Sequence, residues 1–206
     1  MIIGITGGTG CGKTTLLDLI ARQGGLILDC DAIYHELLQT DADLLAQIGE
    51  RFPGTVENGQ LNRKMLGSIV FADPKALQDL NGITHKAVKA EVIRRINAAS
   101  AVHGADESAP YQGNSRLIAI DAYGLHAGGL AELCKLTVAV TAPPEQRLAR
   151  LMARENISRE YALSRIRAQR SNEEFSALCD YTLENNGTIK DFQTKCLAFF
   201  RDIGIM

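Results

Sequence analysis

The chain has 206 residues, 46% of them hydrophobic, and a formal net charge of −2 at pH 7. This length fits one domain with a full hydrophobic core, and we treat residues 1–206 as a single domain. A slightly acidic chain offers no broad basic surface for a nucleic-acid backbone, so we expect a small-molecule substrate and no nucleic-acid partner.

The composition also points away from membranes and from an oxidising compartment. No stretch approaches the length and apolarity of a membrane span, and the chain opens directly into an apolar run. The cysteines show neither paired nor metal-binding spacing; they are Cys11, Cys30, Cys134, Cys179 and Cys196. We therefore expect a cytoplasmic protein that contacts no membrane and exists as a monomer or a small homo-oligomer.

The most specific chemistry lies at residues 7–14, here called the phosphate loop. They read GGTGCGKT and match the pattern G-x-x-x-x-G-K-[ST], directly after the apolar run at 2–5 and before a helix-like segment. A strand, a glycine-rich loop and a helix in this order turn backbone N–H groups and a helix N-terminus toward one point. The segment therefore predicts a site for the polyphosphate of ATP, and a glycine-rich turn that binds nothing is the alternative.

Each side chain of the phosphate loop has a predicted task. Lys13 should bridge β- and γ-phosphate oxygens, the Thr14 hydroxyl should coordinate Mg²⁺, and Thr15 should cap or contact the α-phosphate. Cys11 is interpreted as a small spacer with no redox role. The predicted nucleotide-binding residues of this segment are Gly8, Thr9, Gly10, Cys11, Gly12, Lys13, Thr14 and Thr15.

Short apolar runs alternate with longer helix-like segments along the whole chain. The runs are residues 2–5, 26–28, 117–120, 136–140 and 181–183. This alternation predicts an α/β fold with a five-stranded parallel sheet and helices on both faces.

The segments between the apolar runs carry helix and loop signals. Helical patterns cover residues 31–50 and 60–100, and the second pattern contains two stop signals, Asp73-Pro74 and Asn81-Gly82. Residues 104–115 are rich in Gly, Ser, Pro and Asn and predict an exposed loop.

The last third of the chain contains three predicted helix starts. Pro143-Pro144 begins one helix, and Ser158 with Glu160 begins the next. A final amphipathic helix follows Asn185-Asn186-Gly187, and its predicted apolar side consists of Ile189, Phe192, Cys196, Phe199 and Phe200.

Polar residues that directly follow the apolar runs are candidates for chemistry, because ligands of open parallel sheets bind at the carboxyl ends of the strands. Asp29 and Asp31 follow the second run, and a kinase acting on an alcohol needs one carboxylate to orient the hydroxyl and take its proton. Asp31 is our candidate for that base; the alternative makes Asp31 a helix N-cap and Asp29 a turn former. Asp121 follows the third run and is a candidate Mg²⁺ ligand, or a carboxylate that only ends a strand.

Arginines are concentrated in residues 143–170, a segment that we interpret as a lid over ATP. Arg147, Arg150 and Arg154 are spaced by three and four, which places them on one helical face. Guanidinium groups there would neutralise charge on the transferring phosphoryl group, and we favour Arg150 as catalytic and Arg154 as nucleotide-binding. The alternative is a solvated charged face paired with Glu145, Glu155 and Glu160.

An ordered series of motifs resembles the dephospho-coenzyme A kinase family over nearly the whole chain. The segments that carry the resemblance are I-T-G-G-T-G-C-G-K-T-T at 5–15, L-D-C-D-A-I at 28–33, G-Q-L-N-R at 59–63, V-F with D-P at 70–74, L-N-G-I-T-H at 80–85, R-I-R-A-Q at 165–169, C-D-Y at 179–181 and N-N-G at 185–187.

The resemblance implies transfer of the ATP γ-phosphate to the ribose 3′-hydroxyl of dephospho-coenzyme A, the last step of coenzyme A synthesis. It implies that Asp31 is the general base and that a helical insert at 60–100 binds the acceptor through Arg63, Lys64 and His85. The functional alternatives are another phosphate-loop kinase acting on a nucleoside monophosphate, shikimate or gluconate, a nucleotide-dependent switch or ATPase, and a noncatalytic nucleotide-binding relative.

The chain departs from the family pattern in a few places. Tyr123 stands where the family usually has proline, within a segment, D-A-Y-G-L-H-A at 121–127, that also lacks the usual acidic residue. Phe175 stands where a lysine is common, Lys86 replaces the proline after His85, and Asn62 replaces the aspartate before Arg63.

Overall fold

The computed structural model describes residues 1–101 and 117–205. These residues form two compact units: the sheet unit, residues 1–28 with 117–205, and the helical unit, residues 29–101. The predicted loop at 104–115 lies outside the described residues. The single-domain organisation stays a prediction.

The elements follow one another in a simple chain order. They are β1 (Ile2–Thr6), α1 (Lys13–Arg22), β2 (Leu26–Asp29), α2 (Cys30–Thr40), α3 (Ala42–Arg51), β3 (Val56–Glu57), β4 (Gln60–Leu61), α4 (Arg63–Val70), α5 (Pro74–Ala101), β5 (Ile118–Asp121), a 3-10 turn (Ala131–Leu133), β6 (Leu136–Thr141), α6 (Pro144–Glu155), α7 (Arg159–Arg167), α8 (Asn172–Leu178), β7 (Tyr181–Glu184) and α9 (Ile189–Asp202).

The sheet unit contains the predicted five-stranded sheet. Its strand order is β2-β5-β1-β6-β7, and β1 pairs in parallel with both β5 and β6. β7 continues the parallel pairing at the β6 edge. Because β1 is the central strand, the phosphate loop that follows it leaves the sheet at its middle, with β5 and β6 on either side.

One face of this sheet packs against α1 and α9. Ile3 and Ile5 of β1 are completely buried and belong to one hydrophobic cluster with Leu16 of α1 and Phe200 of α9. The predicted apolar side of the last helix is therefore confirmed except at Ile189, which is 70% exposed. Ile189 is the first residue of α9 and precedes the helical turns whose side chains are buried.

The helices at residues 144–167 form the second small core of the sheet unit. Pro144 occupies the first turn of α6, and the Ser158 hydroxyl accepts the Tyr161 N–H at the start of α7, as predicted. The two helices share buried side chains, namely Leu148, Leu151, Ala162 and Ile166.

In the helical unit, the predicted break at Asn81-Gly82 is wrong. α5 runs without interruption through both residues. Glycine costs about 1 kcal/mol in a helix interior, whereas a stripe of buried, mostly apolar residues spaced by four covers one side of α5 on both sides of Asn81-Gly82. Its residues are Ala76, Leu80, Thr84, Val88 and Val92. Tertiary packing therefore overrides the local signal.

The predicted helical insert at 60–100 is wrong at its first two residues, because residues 60–61 form a strand. This strand belongs to a short hairpin at residues 56–61. β3 and β4 pair in antiparallel, and Asn58 and Gly59 between them have φ values of 52° and 73°. Asn-Gly with positive φ at both residues is typical of a two-residue hairpin turn. Asn62 then caps α4, because its side-chain oxygen accepts the Met65 N–H at 3.0 Å.

An ion-pair network links α2 to α5 inside the helical unit. The Glu91 carboxylate accepts from both Arg94 and Arg95 at 2.7 Å, and Arg95 also contacts Glu36 of α2 at 2.7 Å. The hydrogen bond from Arg94, followed by that from Arg95, lowers the pKa of Glu91 from 4.5 to about 2. The Glu91 side chain is only 13% exposed, so solvent screens this pair less than most surface pairs.

The depressed pKa predicts a loss of stability in acid. A carboxyl that is more acidic in the folded state stabilises that state above its unfolded pKa and loses its contribution as the pH falls toward its folded pKa. The Glu91 contribution should therefore disappear between pH 4.5 and about 2. In urea titrations followed by circular dichroism, Glu91→Gln should flatten the pH dependence of the unfolding free energy in this window. Glu50→Gln, at an exposed position of α3, is the control and should leave the dependence unchanged.

Candidate active site

The phosphate loop joins β1 to α1, and its glycines have no room for a side chain. Gly7 has φ 146° and Gly12 has φ 106°, both in the region that favours glycine. A Cβ on Gly7 would collide with the Val140 carbonyl of β6, and a Cβ on Gly12 would collide with the Asn185 side chain. The sequence pattern therefore requires glycine here for backbone conformation and also for packing.

The carbonyl groups of the phosphate loop are bound by side chains. Because side chains hold these carbonyl groups, other amide groups of the loop remain available to an anion, as in other anion-binding nests. The four contacts are Lys13 Nζ to Gly7 O at 3.0 Å, Arg147 Nε to Thr9 O at 2.9 Å, Arg150 Nη1 to Gly10 O at 3.3 Å and Asn185 Nδ2 to Cys11 O at 2.9 Å.

Cys11 behaves as the predicted spacer. Its side chain is 1% exposed and packs in the core of the sheet unit. Burial raises the pKa of the Cys11 thiol, against smaller opposing effects of Lys13 and Arg147. The thiol is therefore neutral at physiological pH and is a poor candidate for redox chemistry.

Two side chains near the loop have the chemistry of a Mg²⁺ site. Thr14 is exposed in the first turn of α1, and its hydroxyl has no hydrogen bond within residues 1–101 and 117–205. Asp121 ends β5 opposite Ile5 of β1, and its charge is near enough to contribute to the raised pKa of Cys11. A hydroxyl at the start of α1 and a carboxylate at the end of β5 suit a hard, oxygen-seeking cation.

The three predicted lid arginines have different environments. Arg147 is 2% exposed and, like Arg150, donates to a carbonyl group of the phosphate loop, so these two arginines share one face of α6 as predicted. That this face closes over ATP stays a prediction. Arg150 is half-buried and also contacts Gln146 at 3.0 Å and the Asn185 side chain at 3.2 Å, beside its contact with Gly10. Arg154 is exposed and contacts Glu155 at 2.6 Å, a carboxylate that Arg165 also binds.

In the helical unit, Asp29 rather than Asp31 caps α2. The Asp29 carboxylate accepts the Ala32 N–H at 3.0 Å, so the alternative in which Asp31 is the N-cap is wrong. Asp31 lies two residues after Asp29, in the first turn of α2. Its carboxylate is exposed and makes no hydrogen bond or ion pair with the described part of the chain. Asp31 is therefore available for a role other than capping.

The predicted acceptor residues also lie in the helical unit. Arg63 and Lys64 begin α4 and are exposed, and the positive charge of Arg63 opposes the effect of burial, which raises the pKa of Tyr34. Arg63 is therefore near Tyr34, which lies one turn after Asp31 on α2. His85 is half-buried on α5 and has no hydrogen bond to any described residue.

Sequence reasoning missed the roles of Asn185 and Gln169. Asn185 is 5% exposed and connects Cys11 of the loop to Arg150. Gln169 accepts the Thr9 N–H at 2.8 Å and an Arg147 N–H at 2.9 Å. Both residues belong to motifs that carried the family resemblance, but a motif does not tell which atom a polar side chain contacts.

Two of the departures from the family pattern contact each other. The rings of Tyr123 and Phe175 meet edge to face with centroids 5.8 Å apart. The Tyr123 carbonyl accepts a hydrogen bond from the Thr6 hydroxyl at 3.1 Å. The Tyr123 hydroxyl accepts one from the Arg170 backbone N–H at 3.3 Å. The aromatic pair therefore fixes the segment after β5 against β1 and against the chain that follows α7.

Comparisons with known proteins identify the relatives of this chain. The family model described as "CoaE: Dephospho-CoA kinase" matches residues 1–191. The dephospho-CoA kinase of Latilactobacillus sakei is 34% identical over 94% of this chain and 91% of its own. The dephospho-CoA kinase Cab5 of Saccharomyces cerevisiae is also 34% identical, over 93% of this chain and 78% of its own.

A solved structure is similar to this chain over nearly its whole length. The protein TT1252 from Thermus thermophilus has a TM-score of 0.75 with 31% identity, covering 98% of this chain and 97% of its own. Within residues 1–101 and 117–205, no helix combines the length and apolarity that crossing a membrane would need.

Proposed function

The chain belongs to the dephospho-CoA kinase family, and we propose that it transfers the γ-phosphoryl group of ATP to the ribose 3′-hydroxyl of dephospho-coenzyme A. The products are coenzyme A and ADP. The observation that carries this proposal is the family match over residues 1–191, which extends through both the phosphate loop and the helical unit. The loop alone, which many kinases and ATPases share, would support only nucleotide binding.

ATP binds with its phosphates in the phosphate loop. The backbone amides of Gly10, Gly12, Lys13 and Thr14 donate to phosphate oxygens, and the N-terminus of α1 adds its partial positive charge. The Thr9 amide, predicted as part of this set, is instead bound by Gln169. Lys13 leaves the Gly7 carbonyl, which it contacts at 3.0 Å, and bridges the β- and γ-phosphates. Arg150 and Arg154 add charge from α6, with Arg150 nearer to the loop.

Thr14 and Asp121 are the residues that would hold Mg²⁺, through the hydroxyl and, directly or through water, the carboxylate. When bound there, Mg²⁺ would supply charge neutralisation for the phosphates of ATP. A four-ligand protein cage is unnecessary, because Mg²⁺ bound with a nucleotide takes most of its ligands from phosphate oxygens and water.

Asp31 is the general base of the transfer. The 3′-oxygen of the acceptor forms a bond to the γ-phosphorus while the bond between that phosphorus and the β–γ bridging oxygen breaks, and the hydroxyl proton passes to the Asp31 carboxylate. Arg63 and Lys64 bind anionic groups of the acceptor, and His85 supplies a further polar contact. The exposed carboxylate of Asp31, and the charge of Arg63 near Tyr34 one turn further along α2, support this arrangement.

A coupled ADP-release assay tests the proposal. Purified protein with ATP and Mg²⁺ should release ADP rapidly with dephospho-coenzyme A and not with coenzyme A, whose 3′-oxygen already carries a phosphate. Mass spectrometry should identify coenzyme A as the product. Shikimate, gluconate and nucleoside monophosphates are the competing acceptors, and faster turnover of any of them would refute the proposal. Rapid ADP release without an acceptor would indicate an ATPase instead.

A further inference from the structure

Arg147 is a buried cation on the inner side of the phosphate loop. Its side chain is only 2% exposed, and its guanidinium lies against Gly8, so that a Cβ at that position would collide with it. Its Nε donates to the Thr9 carbonyl at 2.9 Å and its Nη2 to the Gln169 side chain at 2.9 Å. Arg147 therefore touches the loop backbone at two successive residues.

This guanidinium has no carboxylate to balance its charge in the part of the chain that the structure describes. Its hydrogen bonds go to a backbone carbonyl and an amide, both neutral, and burial lowers the pKa of Arg147. Arginine nevertheless stays protonated at physiological pH. A buried charge with only neutral partners is costly in most proteins, so its retention beside an anion site points to an anionic ligand as its counter-charge.

Gln169 completes the contact with Thr9. One side-chain oxygen accepts both the Thr9 N–H at 2.8 Å and the Arg147 Nη2, so both polar backbone groups of Thr9 are bound by the same pair of side chains. Gln169 follows the C-terminal end of α7, and the next residue, Arg170, is held by the Tyr123 hydroxyl at 3.3 Å. The chain after the arginine-rich segment is therefore attached directly to the phosphate loop.

We propose that Arg147 and Gln169, here called the Thr9 clamp, are positioning residues for the triphosphate of ATP. The pair holds the loop in its binding conformation before ATP arrives, which removes part of the ordering cost of binding. The buried guanidinium also attracts the phosphates across the loop, where water cannot screen it. This inference rests on ATP binding in the phosphate loop, and it is independent of which acceptor receives the phosphoryl group.

The test compares nucleotide binding with stability in Arg147→Met. Because methionine is apolar and of similar length, the variant should unfold at the same temperature as the wild type or higher when no nucleotide is present. The loss of hydrogen bonds to a charged group should raise the Kd and the KM for ATP roughly tenfold, leave kcat within about twofold, and shrink the rise in unfolding temperature that ATP produces. Arg201→Met, at an exposed arginine in the last turn of α9, is the matched control and should match the wild type in every measurement.

A second pair of variants separates positioning from packing. Gln169→Met removes the shared acceptor and should also raise the KM for ATP. Gln169→Glu keeps an acceptor for both donors but places a carboxylate beside Arg147, which balances the charge that attracts the triphosphate, so the KM for ATP should rise in this variant too. A merely structural role would lower the active fraction, and hence kcat, without moving the KM for ATP. An unchanged KM for ATP in Gln169→Met would overturn the proposal. This test remains decisive if Arg147→Met does not fold.

These measurements do not depend on the acceptor. ATP binding by calorimetry and the ATP-induced thermal shift can be recorded without any acceptor present. If wild-type protein binds ATP but does not phosphorylate dephospho-coenzyme A, the proposed function fails while the Thr9 clamp stands. If transfer proceeds and the clamp variants bind ATP normally, only the clamp fails.

Discussion

Replacing Lys13 with alanine is expected to lower kcat/KM for ATP by roughly 10³-fold, the upper range for loss of one preorganised donor to a developing charge. In the structure the Lys13 ammonium donates to the Gly7 carbonyl at 3.0 Å, which holds the side chain along the loop. The triphosphate would exchange this neutral partner for β- and γ-oxygens that gain charge during transfer. Steady-state kinetics with varied ATP will measure the effect.

The expected loss has two components that can be separated. ATP affinity should weaken because a charge is removed from the loop, and kcat should also fall because the same charge stabilises the transition state. Lys190→Ala is the control, since Lys190 lies in the first turn of α9 and its ammonium has no assigned contact among the described residues. Normal ATP affinity together with normal kcat in Lys13→Ala would contradict the assignment of residues 7–14 as the nucleotide site.

The sheet and the phosphate loop could be predicted from the sequence because their signals are local. A buried parallel strand needs a continuous apolar run, and a loop whose backbone takes positive φ needs glycine, as at Gly7 and Gly12. These requirements act within a few residues of the chain. The strand bounds accordingly differ from the predicted apolar runs by at most one residue at either end.

The helical unit was harder to predict because distant contacts decide its helix bounds. Asn81-Gly82 has the composition of a helix stop, but the buried stripe of α5 continues past it. The hairpin at Asn58-Gly59 was missed for a different reason. Its turn signal is clear, but strands of two residues each are too short to show alternation.

The spacing of charged residues predicted a helical face but not the direction of each side chain. Arg147, Arg150 and Arg154 are on one helix, as expected, yet the first is buried against the loop and the last is exposed beside Glu155. Which arginine turns inward depends on Thr9 and Gln169, which are 138 and 22 residues from Arg147. Such contacts between distant positions leave no periodic trace in the sequence.

Asp31→Asn is expected to lower kcat by 10²-fold or more while leaving the Kd for ATP nearly unchanged, the usual scale for a lost general base. Asparagine has almost the same shape and does not accept a proton at neutral pH. Because Asp29 rather than Asp31 caps α2, this substitution should not weaken the helix. Thermal unfolding of the variant should therefore match that of the wild type, which separates a chemical effect from a folding defect.

Asp29→Asn is the matched control, because it removes the same charge two residues away and keeps the cap. Asparagine caps helices as well as aspartate does, so the hydrogen bond to the Ala32 N–H survives and kcat should stay within a fewfold of the wild type. The two variants differ in one respect only, namely which carboxylate is free to accept a proton. A large loss of kcat in Asp29→Asn with normal turnover in Asp31→Asn would assign the base to Asp29. Normal turnover in both variants would mean that neither carboxylate takes the proton of the acceptor.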